Sequence, residues 1–76
     1  MPPDNHSWTV LEVLKWTTSF FDSRDIDSPR LSAELLLAHV LNISRLDLYL
    51  RFDQPLSMAE RARYRELIKR RADGEP

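Results

Sequence analysis

The sequence predicts an all-α domain, a small bundle of four to five helices, orthogonally packed, with no sheet. Three observations carry that expectation. Apolar residues recur at three- and four-residue spacing in successive segments. Each segment opens on a helix-capping signature. No stretch shows the two-residue alternation of a half-buried strand. The 76 residues leave room for one small domain. A chain of that size buries about 60% of its unfolded surface, so modest stability is expected.

The first helix starts at a capping box made by Thr9 and Glu12, with Trp8 and Val13 at the positions of a hydrophobic staple. Val10, Val13, Leu14, Thr17, Phe20 and Phe21 then mark one helical face to about Ser23. Residues 24–27 connect to a second helix, for which Ser28 is the expected N-cap and Pro29 the first helical residue. That helix, to about Leu41, is apolar almost all round through Leu31, Leu35, Leu36, Leu37, Ala38, Val40 and Leu41. Such a helix belongs at the centre of a bundle. Asn42 suits a left-handed C-cap. Ser44 with Asp47 opens a third helix expected to reach about Phe52, and Pro55 biases Gln54 away from helix. Ser57 and Glu60 form a second capping box for a last helix to about Ala72, whose inner face is Met58, Tyr64, Leu67 and Ile68. Gly74 is the stop.

Composition excludes several classes of function. The absence of Cys rules out disulfides, iron–sulfur clusters and thiolate zinc sites. A single Gly removes every glycine-rich phosphate loop. The first residues lack the basic-then-apolar layout of a signal peptide, and the longest apolar run, Leu35 to Ala38, is far short of a membrane span. A cytoplasmic protein is therefore expected. His6 and His39 have no partners at metal-ligand spacing, so neither a metal site nor a catalytic group is expected, and His39 reads as a partly buried helix residue. Asp25 and Asp27 precede the second helix, where negative charge complements the macrodipole. Arg30 and Glu34 stand four apart as an ordinary surface pair.

Two features point to a contact surface. The net charge is −1, yet residues 51–76 hold seven basic and five acidic side chains against four and seven in residues 1–50. Within the basic segment Arg61, Arg65 and Lys69 fall at successive four-residue steps on one face. That face reads either as a solvated helix surface or as a contact to an acidic partner. Trp16 lies off the main apolar stripe of the first helix and marks a contact surface if exposed. The stretch from Ala38 to Ser44 resembles the turn of a helix-turn-helix. However, residues 45–51, Arg-Leu-Asp-Leu-Tyr-Leu-Arg, suit packing rather than base reading, and the net charge argues against a nucleic-acid binder. A small nucleic-acid-binding or purely structural helical module is the alternative reading.

Four stretches in order carry a family resemblance: Trp8-Thr9-Val10-Leu11-Glu12-Val13-Leu14, Ile26-Asp27-Ser28-Pro29-Arg30-Leu31, Ala33-Glu34-Leu35-Leu36-Leu37-Ala38-His39-Val40-Leu41, and Arg70-Arg71-Ala72-Asp73-Gly74-Glu75-Pro76. Together they resemble the N-terminal domain of the HemK/PrmC family, the peptide chain release factor glutamine N5-methyltransferases. Ser32 stands where the family often has Asp, and Asn42 where Gly is common. The resemblance implies a parent enzyme that uses S-adenosylmethionine to methylate the glutamine of the Gly-Gly-Gln loop in release factors. It implies a separate Rossmann-like catalytic domain with an Asn-Pro-Pro-Tyr motif, which this sequence lacks, as it lacks a cofactor-binding glycine loop. On this reading residues 1–7 are a disordered tail, 8–72 a substrate-recognition domain, and 73–76 the start of a linker to the catalytic domain. The fragment would hold no cofactor and no catalytic residue, remain monomeric, and contact the release factor and its own catalytic domain. Trp16, Arg61, Arg65 and Lys69 are the candidate contact residues.

Overall fold

The computed structural model describes residues 7–74, and three of the four helices among them start at side-chain caps. At the first, the Glu12 N–H donates to Thr9 Oγ1 at 3.2 Å while the Thr9 N–H donates to Glu12 Oε1 at 3.0 Å. This capping box opens α1 (Val10–Ser23). The next two orphan donors of the first turn are taken by a distant segment: Val10 N–H donates to the Gln54 carbonyl at 2.9 Å and Leu11 N–H to that of Phe52 at 3.1 Å. Leu56 N–H donates in turn to the Trp8 carbonyl at 2.8 Å, so residues 52–56 lie along the entrance to α1.

Helix α2 (Pro29–Leu41) begins differently from the expectation. Ser28 occupies the N-cap position in a left-handed conformation (φ 48°, ψ 59°), and its side chain makes no capping bond. Asp25 is also left-handed, at φ 57°. The reversal between the two helices is therefore tight, and the start of α2 relies on Pro29, which has no N–H to satisfy. At the other end Asn42 adopts the expected left-handed cap (φ 57°, ψ 46°). The N–H groups of Asn42 and Ile43 turn back onto the carbonyls of His39 and Ala38.

Helix α3 (Arg45–Tyr49) is capped by Ser44, whose hydroxyl accepts the Asp47 N–H at 3.1 Å. It ends about three residues earlier than expected. Leu50, Arg51 and Gln54 each donate to the carbonyl three residues back, and these tighter turns steer the chain towards the start of α1. Helix α4 (Met58–Ala72) opens on the expected capping box: Ser57 N–H donates to Glu60 Oε1 at 2.8 Å, and Glu60 N–H to Ser57 Oγ at 3.1 Å.

The fold is all-α, and the pairing of Thr9 with Pro55 is an isolated bridge rather than a strand. Helices α1 and α4 each pack on α2, and their side chains meet in one core beside it. The core is Val10, Val13, Leu14 and Phe21 from α1, Ala33, Leu37, Ala38 and Val40 from α2, Leu48, Leu56, and Tyr64 and Ile68 from α4. The buried Tyr64 hydroxyl donates to the Ala33 carbonyl at 2.9 Å, fastening α4 to α2, and burial pushes its pKa up.

Three expectations about side chains need correction. Helix α2 is the central element, yet Leu31 and Leu35 are exposed, on the side turned away from Ala33, Leu37 and Val40. His39 shares that outer side and is exposed rather than partly buried. Met58 is exposed because it sits roughly a quarter-turn off the face made by Arg61, Tyr64 and Ile68. The expected tail at 1–7 falls outside the described residues except for Ser7, as does the expected linker beyond Gly74.

Candidate partner-binding site

A buried carboxylate is the first place to look for chemistry, and the structure has one at Glu34, 1% exposed. Its Oε2 accepts from Arg30 Nε at 2.8 Å and from the Tyr49 hydroxyl at 2.8 Å. Its Oε1 accepts from both Nε and a terminal nitrogen of Arg45, at 3.1 and 2.9 Å. Burial alone would raise the pKa, but the hydrogen bonds from Arg30, Tyr49 and Arg45 outweigh it and hold the carboxyl below its ordinary value. A general acid or base needs the opposite shift and a free lone pair facing a cleft. Glu34 is therefore a structural clamp that ties α3 to α2. The expected Arg30 pair is present, but it is no ordinary surface pair because Glu34 is buried, and the partners on α3 depend on where that helix folds back.

The second feature is a notch of about 290 Å³ where α1 and α4 diverge, lined by Trp16, Phe20, Arg65, Ile68 and Lys69. Trp16 and Phe20, one turn apart on α1, stack with ring centroids 5.3 Å apart and planes 14° from parallel. One turn further on, the Arg24 guanidinium lies over the Phe20 ring, 5.0 Å from its centroid. Both rings are partly buried against the core, so this wall is held in place before any partner arrives. The opposite wall is the exposed pair Arg65 and Lys69, and Ile68 supplies the apolar floor.

Three of the four candidate contact residues thus come together. Trp16 is partly buried rather than fully exposed and offers its remaining surface to the notch. Arg61 does not join them, being 6% exposed. The reason is geometric. Four-residue steps advance about 400° around a helix, so each drifts about 40°. A row that ends in solvent at Lys69 begins two steps earlier at the edge of the core. Phe20 and Arg24 were missed, although the four-residue ladder Trp16, Phe20, Arg24 is visible in the sequence.

Elsewhere the chemistry is thin. His39 lines a shallow hollow with Arg63, Glu66 and Leu67. Among the described residues no group of three or more His, Cys, Asp or Glu side chains is placed to hold a metal ion. None of their helices is long and apolar enough to cross a membrane. These residues do not fit S-adenosylmethionine either. Its phosphate-free but nucleoside-bearing skeleton is cradled by a glycine turn at strand ends, whereas Gly74, the single glycine, follows α4 with open space around it.

Comparison with known proteins gives a consistent match. Residues 12–76 match the model of the PrmC N-terminal domain. A release factor glutamine methyltransferase of Chlorobaculum tepidum is 47% identical over 74 residues, covering 97% of this chain and 25% of that protein. Its counterpart from Rhodopirellula baltica is 46% identical over 69 residues, covering 91% and 23%. The chain therefore spans about a quarter of the length of the curated relatives it matches. No solved structure matches it.

Proposed function

The chain belongs to the PrmC N-terminal domain family, and we propose that it is the substrate-recognition domain of a release factor glutamine methyltransferase. In this reading residues 8–72 bind or orient the release factor and take no part in the chemistry. Residues 73–76 begin the linker to a catalytic domain. That domain binds S-adenosylmethionine, which supplies the methyl group for the side-chain amide of the Gly-Gly-Gln glutamine. The parent works in the cytoplasm, and the 76-residue chain is a monomer.

The observation that carries the proposal is the match along residues 12–76, together with relatives that all bear the release factor methyltransferase name. The notch gives it physical content. A domain that grips the substrate away from the reacting amide lowers the entropic cost of bringing glutamine and methyl donor together. Contacts to remote parts of a substrate that are equally strong in the ground and transition states lower KM and leave kcat unchanged.

The direct test is to mix the chain with an intact bacterial release factor and, separately, with a short peptide containing Gly-Gly-Gln, and to follow complex formation by sedimentation velocity. Binding to the protein and none to the peptide is expected. Failure to bind the intact release factor refutes a recognition role and leaves the domain a structural one.

A further inference from the structure

Resting on that reading, we propose that the notch between α1 and α4 takes an acidic segment of the protein substrate. One apolar side chain seats against Trp16, Phe20 and Ile68, while flanking carboxylates meet Arg65 and Lys69. The volume limits the occupant. Pockets for small ligands run from about 300 to 1,000 Å³, so at about 290 Å³ this notch lies at the bottom of that range and has room for a bulky side chain. Its walls differ in kind, aromatic on one side and cationic on the other over an aliphatic floor, so a matching segment is apolar at its centre and acidic at its flanks. An arginine has five N–H donors, so Arg65 can serve a partner carboxylate alongside any contact within the chain.

The site is also prearranged. Phe20 lies between Trp16 one turn before it and Arg24 one turn after, which leaves little side-chain freedom to lose on binding. Arg65 and Lys69, one turn apart, present two positive charges at the spacing of two carboxylates on one face of a partner helix. A nucleic acid fits less well. Its affinity comes from many phosphate contacts, whereas the net charge is −1 and exposed Asp22, Asp25 and Glu66 neighbour Arg24 and Arg65 in sequence.

The experiment is an NMR titration of the 76-residue chain, reading the Trp16 indole N–H and the backbone amides of Phe20 and Ile68. Three probes are used: a short helical peptide with one Leu flanked by Glu, the same peptide with Gln for Glu, and a single-stranded RNA oligonucleotide. Saturable shifts confined to the notch are expected with the acidic peptide, and roughly fivefold weaker binding with the Gln peptide, in the range of exposed ion pairs. The double substitution Arg65→Glu with Lys69→Glu weakens binding of the acidic peptide at least as much as the Gln peptide is weakened and makes a Lys-flanked counterpart the tighter ligand. A fold defect could not produce that exchange. Equal affinity for the Glu and Gln peptides, shifts centred elsewhere, or tighter binding of RNA overturns the proposal. Unchanged affinity of the double variant for intact release factor overturns the notch alone and leaves the recognition role standing. Absence of release factor binding by the unaltered chain refutes the recognition role itself.

Discussion

Glu34 shows how much depends on a single buried group. Its carboxylate accepts hydrogen bonds from Arg30, Arg45 and Tyr49, the last two on α3, a helix too short to persist alone. Because its pKa is lower folded than unfolded, the unfolded chain takes up the proton first on acidification. The clamp's stabilisation is therefore complete above the ordinary glutamate value and is lost as pH falls through the folded value. Glu34→Gln is expected to cost about 1.5–3 kcal/mol at neutral pH, as for hydrogen bonds to a charged group. Chemical denaturation followed by circular dichroism should show the difference from wild type shrinking in acid. A difference independent of pH would deny the charge its role. The sequence revealed only the Arg30 half of this clamp, since spacing within one helix is local and the approach of α3 is not.

The helices owe their limits to caps, and the caps are not equal. Thr9 and Ser57 each close a reciprocal pair with a glutamate three residues on, whereas Ser28 makes no side-chain cap. Thr9→Ala and Ser57→Ala should each cost about 1 kcal/mol, while Ser28→Ala should lie within roughly 0.5 kcal/mol of wild type. Thermal melts of the three variants check the order, and a Ser28→Ala loss equal to the others would contradict it. Both capping boxes and the Asn42 stop could be read from the chain, because they join residues within a few positions of each other. Ser28 misled because its residue type suits a cap, but the tight reversal through left-handed Asp25 and Ser28 leaves its hydroxyl without that bond. The pairing of residues 52–56 with the entrance to α1 was invisible for another reason. It consists of backbone hydrogen bonds, to which side-chain patterns give no clue.

At the scale of the whole molecule, α1 and α4 both pack on α2, and the crease between those two helices is where aromatic and basic residues meet. The sequence named Trp16 apart from the Arg61, Arg65 and Lys69 face; only the packing of the helices joins Trp16 to Arg65 and Lys69 and removes Arg61. On the proposed reading this surface holds the protein substrate, and the chain matches about a quarter of the length of the release factor glutamine methyltransferases it resembles. The most direct test is steady-state methylation by the parent enzyme with and without residues 8–72, using intact release factor and a short Gly-Gly-Gln peptide as alternative substrates. Removing the domain should raise KM for the intact protein about tenfold, equivalent to about 1.4 kcal/mol of binding, with kcat and the peptide kinetics unchanged. An unchanged KM for the release factor, with loss confined to thermal stability, would contradict a recognition role.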